Sequence, residues 1–212
     1  MAVSLYCIMI FIYFNIIKDQ NIMMKDKILI VTYSFCASFI ACFGMVIIEN
    51  LFPDFWFYLY NSNIPLYFIT IVLIEEVLKL ALIPFITKNI LVIDKIAIST
   101  CLSFALFENI VIFARNPDLS ILIFRLLAIT PIHIFIGFVY YYLFYLIYEN
   151  KLNKKFIYGI PFATFCIHLF TNFAIIGATR GFVYIYSICT MIFSIRIAKK
   201  YMFKKNKKSS LL

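Results

Sequence analysis

"IVLIEEVLKLALIPF", residues 71–85, decides how this chain is read. The run is apolar enough for a membrane helix. Yet Glu75 and Glu76 stand side by side in it, and Lys79 follows one helical turn later. On insertion scales a charge at the centre of a membrane helix costs about 2.5–3.5 kcal/mol. Three charges in one span therefore need partners, and partners alone do not explain why they are there.

The rest of the chain has the same character. Of 212 residues, 65% are hydrophobic and 14% charged, with 25 Phe and 15 Tyr against 5 Gly and 6 Pro. A soluble core of this size cannot hide so much apolar surface. Apolar runs of about 20 residues separated by short polar loops predict an all-α, polytopic transmembrane helix bundle. The expected spans are 2–17, 28–48, 65–87, 96–113, 119–148, 156–177 and 181–198, seven in all. Residues 1–198 form one integral-membrane domain, followed by a basic tail at 199–212. The first apolar run has no basic residue before it and no small-residue cleavage site, so it is read as a retained span. The cysteines all lie in apolar runs without a CxxC pair and read as small apolar filler.

Basic residues set the orientation. Loop 18–27 carries Lys18, Lys25 and Lys27, and loop 49–64 carries no Lys or Arg. Loop 88–95 has Lys88 and Lys95, whereas loop 114–118 has only Arg115. Loop 149–155 has Lys151, Lys154 and Lys155, loop 178–180 only Arg180, and the tail six lysines. Rich and poor loops alternate at every crossing, as they should with the N-terminus outside and the C-terminus cytoplasmic. The net charge of +9 is then topological. It favours an anionic inner leaflet of the lipid bilayer as partner, and no nucleic acid.

Other ionisable groups fall inside the spans. Glu108 and Asn109 lie in "FALFEN", Arg125 and His133 in "RLLAITPIH", and His168 and Asn172 in "HLFTN". Counted from the span ends, Glu76, Glu108 and His168 all sit roughly 17–18 Å deep, with His133 near that level. Glu75 shares a helix face with Lys79, and His168 with Asn172. Pro131 predicts a kink and frees the carbonyl of Leu127. Unpaired, Glu75, Glu76, Lys79, Glu108 and Arg125 together would cost on the order of 12–17 kcal/mol. Adjacent carboxylates in a low-dielectric site do not readily both ionise, so one of the Glu pair is expected to hold a proton or to have a cation beside it. Taken together, three Glu, two His and an Asn from four helices favour a site over isolated helix-packing pairs.

These residues carry a resemblance. "IEEVLK" (74–79), "FALFEN" (104–109), "RLLAITPIH" (125–133) and "HLFTN" (168–172) resemble, in order and spacing, the four motifs of the PrsW family of intramembrane proteases. "YFNIIKDQN" (13–21) resembles that family's first cytoplasmic loop. The family is related to the type II CAAX prenyl endopeptidases and the bacteriocin-processing proteins. The resemblance implies a bacterial cytoplasmic-membrane endopeptidase that cuts a single-span anti-sigma factor on its extracytoplasmic side. It implies Glu75 and Glu76 as the catalytic pair and His168 as an essential partner, with Glu108, His133 and Asn172 completing the site. Lys79, Asn109 and Arg125 would support it. The chain departs from the pattern at Asn172, where Asp is common, in the lack of glycine in "TCLSFALFEN", and in "IMMKDK" after the first-loop "KDQ".

Two mechanisms fit such a set. In one, Glu75 or Glu76 activates a water, and His168 and Asn172 donate to the developing oxyanion with no cofactor. In the other, Glu108, His133 and His168 hold a Zn²⁺ that activates the water. Two rivals belong to other classes. A proton-coupled transporter would also bury carboxylates, Arg and His, but no inverted repeat or Gly-broken half-helix is visible. A non-catalytic scaffold on the same fold, like the related subunit of gamma-secretase, would have no need of intact Glu75, Glu76 and His168.

Overall fold

The computed structural model describes residues 24–86, 93–148, 154–177 and 181–190, with 192, 193 and 196. The expected span 2–17, the first-loop motif and the tail 199–212 lie outside the described residues.

Those residues are almost entirely helical. The helices are α1 (Met24–Leu51), α2 (Pro53–Ser62), α3 (Ile64–Ile86), α4 (Ile93–Arg115), α5 (Leu119–Phe124), α6 (Thr130–Tyr148), α7 (Lys154–Gly177) and α8 (Gly181–Thr190). A π-helical segment, Arg125–Ile129, joins α5 to α6. The expected spans from 28 to 177 correspond to α1, α3, α4, α5–α6 and α7. Of the expected span 181–198, α8 is the described helix.

Four stretches among the described residues are long and apolar enough to cross a membrane: Val31–Leu51, Lys95–Arg115, Leu119–Tyr148 and Ile157–Ala174. Helix α3 has their length, at 23 residues, but carries Glu75, Glu76 and Lys79 in its second half. Outward faces are apolar as well. Ile40 and Phe43 on α1 and Phe162 and Phe170 on α7 are exposed, a pattern suited to lipid rather than water.

Residues 49–64, expected as a loop, contain α2. Its sequence supplies the reason. Pro53 stands at the first helical position and Asp54 lies in the first turn, where the helix dipole favours an acid. Trp56 is buried with its ring centroid 6.0 Å from that of Tyr67 on α3, and Tyr60 meets the same ring edge to face at 5.4 Å.

Helix α4 is the centre of the bundle, packed mainly against α1 and α6. Gly137 makes the α4–α6 approach close: a Cβ there would lie 2.9 Å from Ile98 Cα and 3.1 Å from Ala97 O. Around it Ile96, Ala97 and Cys101 pack with Ile132, Ile136 and Tyr140. On the α1 side, Ser38 Oγ donates to the Thr100 carbonyl at 3.0 Å and Cys42 Sγ approaches that of Phe104 at 3.8 Å. Such side-chain bonds hold helices together where no hydrophobic difference from lipid can.

The irregularity expected at Pro131 takes the form of the π segment just before it. Thr130 Oγ1 bridges back to the Arg125 carbonyl at 3.4 Å. The Leu127 carbonyl, which Pro131 cannot serve, lies 3.4 Å from Ser187 Oγ on α8. A π bulge carries an extra residue in its turn and re-aims the side chains around it; here it carries Arg125.

Candidate active site

The site forms where α3, α4, α6 and α7 meet. Its first component is a lysine with no exposure. Lys79 Nζ lies 2.7 Å from Glu76 Oε1, 3.3 Å from His133 Nδ1 and 3.7 Å from Glu75 Oε2. An ammonium has three N–H donors, and three acceptors surround it. Beneath it lies the Phe104 ring, its centroid 4.7 Å away, in cation–π range. The i,i+4 spacing suggests Glu75 as the partner of Lys79, but the nearer carboxylate is Glu76 at i,i+3.

Glu76 is saturated. Its Oε1 faces Lys79 and also His168 Nδ1, at 2.8 Å, and its Oε2 accepts from the Tyr140 hydroxyl. Thr164 Oγ1 backs Tyr140 Oη at 3.0 Å. Donors from three helices thus hold one carboxylate. An ionised Glu76 can only accept, which puts the His168 proton on Nδ1 and leaves Nε2 as the free ring nitrogen.

Glu75 is different. Its Oε2 is buried and has no hydrogen-bond partner, with His168 Nε2 at 3.5 Å out of hydrogen-bonding alignment. Glu108 holds an ion pair with Arg125 at 2.6 Å, and its Oε2 lies 3.3 Å from His133 Nε2 without a hydrogen bond. Arg125 is fixed from behind: its Nε donates to Asn109 Oδ1 at 2.8 Å, and Asn109 Nδ2 donates to Thr130 Oγ1 at 3.1 Å. The π segment and the ion pair are therefore one construction. The rings of His133 and His168 cross nearly edge to face, 4.9 Å apart.

The charges balance to within one proton. Three carboxylates, Glu75, Glu76 and Glu108, face the two cations Lys79 and Arg125. Close pairing offsets the insertion cost of about 2.5–3.5 kcal/mol per charge at Glu76, Lys79, Glu108 and Arg125, whereas Glu75 has Lys79 only at 3.7 Å.

A cavity of about 250 Å³ opens onto this cluster. Glu75, Glu108, Arg125 and Asn172 line it, while Glu76 and both histidines do not. All nine residues singled out from the sequence converge here. Missed were Tyr140, Thr164, Thr130 and Phe104. Tyr140 lies two turns after His133 and Thr164 one turn before His168, so helical spacing placed both on the site's face.

Among the carboxylate and imidazole atoms of the site, four are buried without a hydrogen bond: Glu75 Oε2, Glu108 Oε2, His133 Nε2 and His168 Nε2. Their chemistry suits Zn²⁺. Their arrangement does not, because they face each other in two pairs. Among the described residues no three His, Cys, Asp or Glu side chains are set around a common point to hold a metal ion.

The chemistry open to this arrangement is that of a buried carboxylate with a free oxygen, at the floor of a cavity that also offers an amide. No family model, no curated protein and no solved structure matches the chain.

Proposed function

We propose that the chain is an intramembrane endopeptidase of the PrsW type, with seven spans, the N-terminus outside and the C-terminus cytoplasmic. It would cleave a single-span membrane protein, of the anti-sigma-factor kind, on its extracytoplasmic side. One observation carries this reading: of two adjacent buried glutamates, one is fully hydrogen-bonded and the other keeps a free oxygen beside a cavity.

That asymmetry assigns roles. Glu75 is the base. It takes a proton from a water as the water oxygen bonds to the scissile carbonyl carbon. The Asn172 amide, which lines the same cavity as Glu75, stabilises the oxyanion. When the carbon–nitrogen bond breaks, the proton on Glu75 passes to the leaving amine. Glu76 does not touch the water. With Tyr140 and Lys79 it holds His168 in one tautomer and one orientation, as a carboxylate behind a catalytic histidine does. Glu108 and Arg125 fix the opposite wall.

The test compares N-terminal peptides in membranes from cells carrying wild type or Glu75→Gln. Loss of a defined extracytoplasmic cut in a single-span protein supports the reading and names the substrate. If no cut depends on Glu75 even under envelope stress, the reading fails, and a scaffold or transporter takes its place.

A further inference from the structure

Helix α2 joins the ends of α1 and α3, and its 10 residues rise about 15 Å. That is half of the roughly 30 Å needed to cross the hydrocarbon of a bilayer. Its level is set by its neighbours. The apolar stretches Val31–Leu51 and Lys95–Arg115 end beside it, and Glu49 and Arg115 close them with an ion pair of 2.5 Å. Helix α2 therefore begins where the apolar zone stops.

Helical spacing sorts its side chains into strips. Trp56 and Tyr60, one turn apart, face inward onto Tyr67. Asp54, Tyr58 and Asn61 share the opposite face and are exposed. Phe55 and Phe57 flank that face on either side, 53% and 73% exposed, and the Tyr58 ring is 66% exposed. Three large rings around a polar ridge do not suit water. They suit the headgroup level of a bilayer, where aromatic side chains collect. Phe43, Ile47 and Leu51, exposed at four-residue spacing on α1, continue the apolar surface toward the hydrocarbon. Interfacial helices commonly add Lys or Arg for anionic headgroups. Residues 50–64 contain neither, and Asp54 is their one charge. Ring area, not charge, is what α2 offers to a lipid.

We propose that α2 is a surface anchor, lying along the lipid interface with Phe55 and Phe57 among the glycerol and upper acyl groups of zwitterionic lipid and its Asp54–Asn61 ridge in water. The anchor does not depend on the protease reading, but it bears on the cavity. Tyr67, on which α2 packs, lines the cavity together with Glu49 and Arg115. The Tyr67 ring meets Phe68 at 5.3 Å, and Phe68 meets Phe173 of α7, the neighbour of Asn172, at 5.8 Å. A run of rings thus ties the surface helix to the wall of the site, and holds the cavity mouth at the level of the headgroups.

Trp56 is the only tryptophan in the chain, so the full-length wild type reports on α2 without a substitution. It is reconstituted into phosphatidylcholine brominated either near the headgroup or near the chain end. Shallow bromines should quench Trp56 at least about twofold more than deep ones, as the headgroup level requires. Phe57→Trp in a Trp56→Phe background moves the probe to the exposed flank, where the same order is expected with little quenching by aqueous iodide. Phe43→Trp in that background places it about 12 Å below Leu51, where the order should reverse. If the Trp56→Phe variants fail to accumulate, the wild-type ratio decides.

Four results overturn the anchor. Iodide quenching of the Phe57→Trp variant as strong as that of free tryptophan puts α2 in water. Deep bromines that quench as well as shallow ones put it in the hydrocarbon. Protection from iodide and bromines alike gives the face to protein, a second copy of the chain included. Shallow quenching that appears only when phosphatidylglycerol is added gives the binding to headgroup charge.

Discussion

His168 is bound to Glu76 through Nδ1, at 2.8 Å, and turns its other nitrogen toward Glu75. Two glutamates adjacent in sequence are thereby placed on opposite sides of one imidazole. The side that is tied down has three donors, and the side that is open has none.

This difference predicts different losses at the two positions. Glu75→Gln should leave the fold intact and reduce cleavage by at least about 100-fold, the usual contribution of a general base. Glu76→Gln should lose cleavage as well, but also destabilise the protein by about 3 kcal/mol. Its new amide N–H group would face donors already aimed at the carboxylate. Cleavage in membranes and thermal unfolding in detergent, measured on both variants, separate the two effects. Equal stability losses would remove the division of labour.

Lys79→Ala removes the cation that three acceptors share. It leaves Glu75 and Glu76 buried with no neutralising group on their own helix, and a buried pair broken from one side costs about 3–5 kcal/mol. The expected result is a protein that unfolds well below wild type and accumulates poorly. The detergent melting curve is the measurement, and an unshifted midpoint contradicts the role given to Lys79.

Much of the site was legible because charge inside an apolar run is rare and therefore informative. Glu75, Lys79, Glu108, Arg125 and the two histidines stand out for that reason, and helical spacing puts them on shared faces. What stayed hidden depends on rotamers. Nothing in "IEEVLK" says which glutamate is saturated, since that follows from Tyr140 and His168 on other helices. Tyr140 was masked by its setting, one tyrosine in an aromatic run. In the fold, α2 was missed because its aromatics are neither a span nor a polar loop. Pro131 announced an irregularity, but not that it would be a π segment whose first residue, Arg125, binds Glu108 and Asn109.

Gly137 gives a test of packing independent of chemistry. Gly137→Ala would set a methyl carbon 2.9 Å from Ile98 Cα, a backbone atom that cannot move aside. Forcing α4 and α6 apart should cost about 1–3 kcal/mol. The control is Gly44→Ala on α1, where a Cβ meets nothing within 4 Å; there the better helix former should stabilise by about 0.8 kcal/mol. Opposite shifts in melting temperature are expected. A stabilised Gly137→Ala would mean that the α4–α6 approach is looser than described.

The two mechanisms open at the level of sequence differ in their response to chelation. The unpartnered atoms of Glu75, Glu108, His133 and His168 are of the right type for zinc but face each other in pairs, with no common point among them. Water activation by Glu75 needs none of them to hold a metal. Under the protease reading, the purified protein, dialysed against a strong zinc chelator, should therefore keep its cleavage rate on the substrate identified in membranes. Glu108→Gln bears on the same question. With the carboxylate serving as the partner of Arg125, its loss should lower stability together with activity, and added zinc should restore neither. Loss of cleavage on chelation with recovery on zinc, in wild type, would show that the pairs open to receive an ion and would move the base from Glu75 to a metal-bound water.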